Sequence, residues 1–169
     1  MKKRFIALAL LMIASVALFA GCGGMQDKTF SKDGISIVLN TDFKEETKAG
    51  HTMYLESNYA SVSIKRERFD DLDGLTTDSS LRDYTNSVVN NNELGTVNIQ
   101  NNSGNSFNYD YFTYEKKVNN EDYTYMATTV KGSDSFYLIT FQTKKDDYST
   151  YKTKFDDWAK SVKVDGAAE

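Results

Sequence analysis

The sequence predicts an α+β domain in which both faces of an antiparallel sheet are covered, in part by a helix. Apolar and polar residues alternate with a period of two from Thr29 onward. Gly, Asn and Asp interrupt this alternation at short intervals, which is typical of antiparallel strands joined by tight turns. Two stretches have the three- and four-residue spacing of helices instead. Several strands are apolar on both faces, which predicts that both faces of the sheet are covered.

The first 22 residues have the pattern of a signal peptide. Lys2, Lys3 and Arg4 precede a run without charge from Phe5 to Ala20. This run is shorter than the about 20 apolar residues of a spanning helix, and it ends in small residues. Residues 19–22, Phe-Ala-Gly-Cys, resemble the lipobox of bacterial lipoproteins, in which the cysteine sulfur takes a diacylglycerol before cleavage. Because Leu18 stands one residue earlier than the usual leucine, the motif departs from the family at one position.

We therefore predict that Cys22 carries a lipid and holds the protein at the extracytoplasmic face of the cell membrane. Cys22 is the single cysteine of the chain, so no disulfide can form within it. The predicted parts are a signal peptide over 1–21, a lipidated tether over 22–28, a folded domain over 29–164 and a frayed tail over 165–169.

The chain after the signal peptide is acidic. From Cys22 onward it has 17 basic and 24 acidic residues, which gives a formal net charge of −7. Such a surface repels nucleic acid and anionic lipid headgroups. Contact with the membrane is therefore expected through the acyl chains, and a protein partner at the membrane face is expected to be basic.

The strands and helices are predicted in the following order. An Asp33-Gly34 turn leads into a strand over 35–39, and strands over 52–56 and 61–67 form a hairpin. A helix capped by Thr77 or Asp78 runs to the Asn90-Asn91-Asn92 segment. Strands over 107–118, 123–130 and 136–143 form a meander at the centre of the sheet. A second helix over 146–162 presents one apolar stripe, formed by Tyr148, Tyr151, Phe155, Trp158, Ala159 and Val162.

The meander strands predict which residues face each side of the sheet. In the first strand Phe107, Tyr109 and Tyr111 point one way, and Phe112 and Tyr114 point the other way. In the last strand the same alternation separates Tyr137, Ile139 and Phe141 from Phe136 and Leu138. Both faces are therefore expected to carry a core.

The order of these elements resembles the PsbP family, named for an extrinsic protein of photosystem II. The resemblance covers residues 30–164 and rests on packing motifs: the Asp33-Gly34 turn, Asp42-Phe43, Val62-Ser63-Ile64, the helix with Tyr84, the SFYLITF segment over 135–141, and the closing helix with Phe155 and Trp158. It implies an α/β/α sandwich around a curved antiparallel sheet. Bacterial relatives are often lipoproteins of unassigned role, the photosynthetic member retains calcium and chloride, and a distant relative binds a nuclear transport GTPase. None of these activities can be assigned to particular residues here.

No catalytic constellation is predicted. His51 is the single histidine, and it lies in a polar stretch that is typical of a solvated loop. A Ser-His-Asp triad would need this residue, but the chain has no Gly-x-Ser-x-Gly turn. Asp70, Asp71 and Asp73 precede Gly74 and suggest weak calcium binding at most, because Phe69 and Ser80 occupy the two loop positions that require Asp and Glu.

The aromatic residues are the remaining candidates for a binding surface. Most of them are expected in the core, and a surface patch is predicted among Tyr109, Tyr111, Tyr114, Tyr123 and Tyr125. No cofactor is predicted. The predicted role is a non-catalytic binding or assembly module, and the alternatives are a structural lipoprotein or a hydrolase that relies on carboxylates.

Overall fold

The computed structural model describes residues 26–103 and 107–166, which form a mixed α+β domain as predicted. Its helices are α1 (Leu81–Asn91) and α2 (Tyr148–Ser161). Its strands are β1 (Asp27–Lys32), β2 (Ile35–Asn40), β3 (Lys44–Glu46), β4 (Met53–Glu56), β5 (Ser61–Arg68), β6 (Gln100–Ser103), β7 (Asn108–Val118), β8 (Glu121–Lys131), β9 (Ser135–Lys144) and β10 (Lys163–Val164).

Seven strands form the large sheet, in the spatial order β3-β4-β5-β9-β8-β7-β6. All of its neighbouring strands are antiparallel. The predicted meander is present as β7, β8 and β9. Contrary to the prediction, the meander does not lie at the centre of the sheet. Three strands, β5, β4 and β3, follow on the side of β9, whereas only β6 follows on the side of β7. The middle strand of the sheet is therefore β9.

A second, three-stranded sheet was not predicted in this form. It has the order β1-β2-β10, and β2 pairs with both of its neighbours. The β1–β2 hairpin turns at Asp33 and Gly34, whose φ angles are 48° and 81°. Two successive residues with positive φ are typical of a tight two-residue hairpin turn, in which Gly is favoured. Ordered structure also extends beyond the predicted domain limits. β1 begins at Asp27, two residues before Thr29, and the Asp165 amide donates to the Gly34 carbonyl over 2.9 Å.

The large sheet carries a core on each face. The small sheet and α2 cover one face, where Tyr109, Tyr137, Ile139 and Phe141 are buried. α1 packs on the other face, against Phe112, Ala127 and Phe136. The side assignment predicted from the alternation in β7 and β9 is therefore confirmed.

α2 lies on its sheet face through the predicted stripe. Phe155 is fully buried and packs on Phe141 with ring centroids 5.4 Å apart. Trp158, 8% exposed, meets the edge of Phe43 at 5.2 Å. The helix begins at Tyr148 and not at residue 146, because residues 145–147 form a separate turn of 3-10 helix.

The cap of α1 differs from the prediction. Its N-cap is Ser80, and neither Thr77 nor Asp78 has this role. The Asp83 amide donates to Ser80 Oγ over 3.1 Å, and the Ser80 amide donates to Asp83 Oδ2 over 2.9 Å. This reciprocal capping box satisfies two amides of the first turn, which a cap at 77 or 78 would leave unpaired.

In the described part of the chain, neither helix has the length and hydrophobicity needed to cross a membrane.

Candidate functional site

α1 covers only a part of its sheet face. Tyr84 of α1 stacks on Phe136 with ring centroids 4.4 Å apart, and the helix ends at Asn91. Beyond that end, the same face of the sheet continues and forms an open depression of about 220 Å³. We call this depression the groove, and it is lined by Lys48, His51, Tyr54, Ser61, Ser63, Lys65, Asn92, Tyr114, Tyr125, Leu138, Thr140 and Gln142. α1 therefore leaves this area of its sheet face uncovered.

The strand register explains why these side chains share one face. In antiparallel strands, residues directly opposite each other point the same way. Tyr54 lies opposite Ser63, and Ser63 lies opposite Thr140. In the next row, Gln142 lies opposite both Ser61 and Tyr125, and Tyr125 lies opposite Tyr114. Five strands, from β4 to β7 in spatial order, thus contribute to the groove.

A pair of stacked tyrosines forms one wall of the groove. The Tyr114 and Tyr125 rings have centroids 4.9 Å apart and planes only 5° from parallel. Burial raises the pKa of Tyr114 to about 12, and the neighbouring Tyr125 phenol adds to this rise. The pKa of Tyr125 is also raised, mainly by burial. Both phenols therefore keep their proton at neutral pH and can donate a hydrogen bond.

The opposite wall comes from β4 and the loop before it. The His51 ring meets the Tyr54 ring edge to face at 5.8 Å, and Lys48 Nζ lies 4.0 Å from the centre of the Tyr54 ring. His51 Nδ1 donates to the Ala49 carbonyl over 3.0 Å, which places the proton of a neutral ring on Nδ1. His51 is in a loop, as predicted, but it is half-buried against Tyr54.

The floor of the groove is polar. It consists mainly of hydroxyl and amide side chains, and Ser61 Oγ donates to Gln142 Oε1 over 3.3 Å. Leu138 is the one aliphatic residue in the lining. The backbone beneath the floor is paired on both sides, since β5 joins β4 and β9 and β8 joins β9 and β7. A ligand in the groove would therefore meet side chains and not free backbone groups.

The charge of the groove differs from that of the whole chain. Lys48 and Lys65 line it, and its lining contains no carboxylate. Glu67 lies on the same face of β5, two residues beyond Lys65, where it is half-buried and accepts a hydrogen bond from the Tyr84 hydroxyl over 2.8 Å. On the other side of the groove, Glu46 lies opposite Tyr54 and Glu56 lies opposite Ser61. Both are exposed near the edge of the sheet. The groove is thus locally basic, although the chain from Cys22 onward has a formal charge of −7.

The five predicted aromatic candidates are divided between the two faces. Tyr114 and Tyr125 lie in the groove. Tyr123 is on the same face, farther along β8, where its hydroxyl donates to Glu121 Oε2 over 3.0 Å. Tyr109 and Tyr111 lie on the α2 face, and Tyr109 is only 4% exposed, so it belongs to the core.

The other predicted site residues lie apart from the groove. Asp70 and Asp71 are exposed in a short 3-10 helix, and Asp73 is exposed in the turn that follows. Within residues 26–103 and 107–166, no three His, Cys, Asp or Glu side chains are placed to hold a metal ion. Cys22 lies outside the described residues.

Ten of the twelve lining residues were not predicted as binding candidates, because their position depends on long-range pairing. Tyr54 and Lys65 were not among the candidates, and His51 was predicted only as a residue of a solvated loop. The alternation in β5 places Ser63 and Lys65 opposite to Val62 and Ile64, but it does not reveal that β5 pairs with β9. This pairing aligns the polar side of β5 with Thr140 and Gln142.

A buried polar network fixes the position of α1 beside the groove. Asp110 of β7, whose side chain is 2% exposed, pairs with Arg82 Nε over 3.0 Å. It also accepts hydrogen bonds from Thr85 of α1 and Asn101 of β6 at 3.2 Å and 3.0 Å. Since Arg82 and Thr85 both belong to α1, the network ties this helix to the two strands at one side of the sheet.

No protein family model and no curated protein sequence matches this chain. Among solved structures, the solution structure of cyanobacterial PsbP from Synechocystis sp. PCC 6803 is similar, with a TM-score of 0.63 over 88% of this chain and 98% of that chain. This chain has the PsbP-like fold. The two sequences are 17% identical, so the likeness concerns the fold alone.

This chain is also similar in structure to a part of a longer bacterial protein. A crystal structure from Bacteroides thetaiotaomicron matches with a TM-score of 0.56 and 13% identity. The match covers 83% of this chain and 49% of that chain. The residues of the groove must therefore be interpreted from their own chemistry.

Proposed function

We propose that this chain is a lipid-anchored extracytoplasmic protein whose PsbP-like domain acts as a non-catalytic binding or assembly module. The groove is the observation that supports this proposal. It places neutral phenols, hydroxyl groups, amides and two lysines in one open area of the sheet face on which α1 packs. Aromatic rings with a few placed polar groups are the usual lining of binding sites.

The anchor is proposed from the signal peptide and from Cys22. β1 begins at Asp27, five residues after Cys22. Five residues span at most about 18 Å when fully extended. A lipid on Cys22 would therefore keep the domain close to the membrane surface, and the groove would meet ligands that are present there.

A protein partner at the membrane face is part of the same proposal. The net charge of −7 favours a basic partner. Such a partner would bind to the acidic residues outside the groove, because the lining of the groove has no carboxylate. Charge of this kind affects mainly the rate of encounter. An assembly role would combine such a partner on the outer surface with a ligand in the groove.

Cell fractionation and mass spectrometry test the anchor. Wild-type protein should be recovered with the membranes, and its first peptide should begin at a lipid-modified Cys22. Cys22→Ala should remove the lipid and release the protein from the membranes, whereas Ser149→Ala, an exposed change on α2, should have no effect. A mature chain that begins at another residue would contradict the anchor. Enzymatic turnover that His51→Ala abolishes would contradict the non-catalytic role.

A further inference from the structure

We propose that the groove binds an anionic saccharide, in which a sugar unit carries a carboxylate or a phosphate group. This inference rests on the proposed function, because it requires the groove to be a binding site. Beyond the proposed function, it names the chemical class of the ligand. Three properties of the lining support it: its rings and hydroxyl groups, its charge, and the paired backbone beneath it.

The rings and hydroxyl groups suit a sugar. A sugar ring has C–H faces, which pack on aromatic rings, and a rim of hydroxyl groups, which need hydrogen-bond partners. Tyr54 and the stacked Tyr114 and Tyr125 provide the aromatic surface on opposite walls. Between these walls, the floor provides Ser63, Thr140 and Gln142, whose side chains can donate and accept hydrogen bonds.

The charge of the lining indicates an anion. Lys48 and Lys65 lie on the β4 and β5 side of the groove, and no carboxylate lines it. Lys48 is held near the groove because its ammonium group lies 4.0 Å from the centre of the Tyr54 ring. A ligand with a negative group would face these two ammonium groups, while the acidic remainder of the chain would repel it elsewhere.

A peptide is a poorer fit to the same surface. An extended peptide gains most of its affinity when its backbone pairs with a free sheet edge. The groove lies within the sheet, where β5, β9 and β8 each have a partner on both sides. An amphipathic helix needs an apolar surface, and the lining contains one aliphatic residue, Leu138. The side chains of the groove therefore favour a ligand that is rich in hydroxyl groups.

The size of the groove limits what it can hold. Its volume of about 220 Å³ is smaller than the about 300 to 1,000 Å³ of pockets that enclose a drug-sized ligand. We therefore expect it to bind one unit of a longer molecule that continues across the open face. An isolated oligosaccharide should bind weakly, with a dissociation constant in the millimolar range.

Calorimetric titration of the full chain tests the inference, in a detergent without a sugar headgroup. The probes are tetragalacturonate, glucose 6-phosphate, neutral maltotetraose and a pentaglutamate peptide. The two anionic sugars distinguish a carboxylate from a phosphate as the preferred group. Lys65→Gln should weaken the binding of an anionic sugar about fivefold, as expected for the loss of one partly exposed ionic contact. Lys152→Gln, an exposed change on α2, is the matched control.

The results separate the possibilities. The inference is supported if an anionic sugar binds better than maltotetraose, if added salt weakens its binding, and if Lys65→Gln lowers its affinity while Lys152→Gln does not. Equal binding of maltotetraose would overturn the anionic requirement. Binding of pentaglutamate without any sugar would overturn the saccharide but leave the binding module intact. The absence of heat with every probe would overturn the inference, and the proposed function would then depend on the crosslinking experiment in cells described below.

Discussion

Tyr114 and Tyr125 stack across the β7–β8 pair, with ring centroids 4.9 Å apart, on a part of the sheet that α1 does not cover. Two parallel rings at this distance support each other's orientation. They therefore form a fixed wall for the groove, although both are partly exposed to solvent. The properties of this pair can be measured without knowledge of a ligand.

The first prediction concerns the stability of the protein in alkali. Burial raises the pKa of Tyr114 to about 12, whereas a phenol in an unfolded chain has a pKa of about 10. Below the unfolded value both states keep the proton, so the contribution of Tyr114 to stability is complete. As the pH rises from about 10 to about 12, the unfolded chain loses this proton first, and stability falls.

Tyr114→Phe removes this ionisation. The variant should therefore lose less stability than wild type between about pH 10 and about pH 12. Urea unfolding at several pH values measures the difference. Near-ultraviolet absorbance titrates the phenols of the folded proteins. The difference between the wild-type and variant curves should correspond to one phenol that ionises near the upper end of this pH range. Identical alkaline profiles for the two proteins would show that Tyr114 has an ordinary environment.

The second prediction concerns the network that positions α1. Arg82→Ala leaves the Asp110 carboxylate buried without its cation, and we expect a loss of about 3 kcal/mol. Asp110→Asn should cost less, about 1 to 2 kcal/mol, because the Arg82 side chain is 42% exposed and can be hydrated. Urea unfolding measures both losses, and the exposed change Arg68→Ala is the control. Equal and small losses for Arg82→Ala and Arg68→Ala would contradict the network.

The third prediction concerns α2 and its sheet face. Trp158 packs against Phe43 and Phe155, with ring centroids 5.2 Å and 5.7 Å away. Trp158→Ala should therefore destabilise the fold by about 3 to 5 kcal/mol, and Trp158→Phe should destabilise it less. Trp158 is the one tryptophan of the chain, so its fluorescence reports this packing directly. Emission from the folded protein at the wavelength of free indole in water would contradict its burial.

The fourth prediction concerns the start of α1. Ser80→Ala removes the side chain that accepts the Asp83 amide, and we expect a loss of about 1 kcal/mol. Thr77→Ala and Asp78→Ala should have almost no effect, since neither residue is the N-cap. Thermal unfolding of the three variants compares them. If Asp78→Ala were the most damaging of the three, Asp78 and not Ser80 would cap α1.

The sequence predicted those parts of the fold that depend on local patterns. The alternation in β7 assigned Tyr109 and Phe112 to opposite faces correctly, and the alternation in β9 did the same for Ile139 and Phe136. This succeeds because the side chains of a strand alternate whatever its partners are. The stripe on α2 likewise identified Phe155 and Trp158 as its buried residues. The cap of α1 was misplaced because several polar residues precede the helix, and only the contact between Ser80 and Asp83 distinguishes one of them.

The groove depends on relationships that no local pattern contains. Its floor requires β5 to pair with β9, and about half of the domain lies between these strands in the sequence. Its opening requires α1 to end at Asn91, before it reaches Thr140 and Gln142. Tyr114 and Tyr125 were identified as aromatic candidates. The separation of Tyr114 from Tyr109 and Tyr111 follows from parity within β7. The exposure of Tyr114 and Tyr125 could not be predicted in this way.

Photo-crosslinking in intact cells tests the central claim, that the groove binds a ligand at the membrane face. A photoreactive phenylalanine analogue replaces Ser63 in the groove or, as the control, Thr153 on the exposed side of α2. We predict a reproducible adduct from position 63 that is absent at position 153 and is reduced when Tyr125→Leu is added. Equal adducts at both positions, or an adduct at position 153 alone, would contradict the assignment of the groove as the binding site.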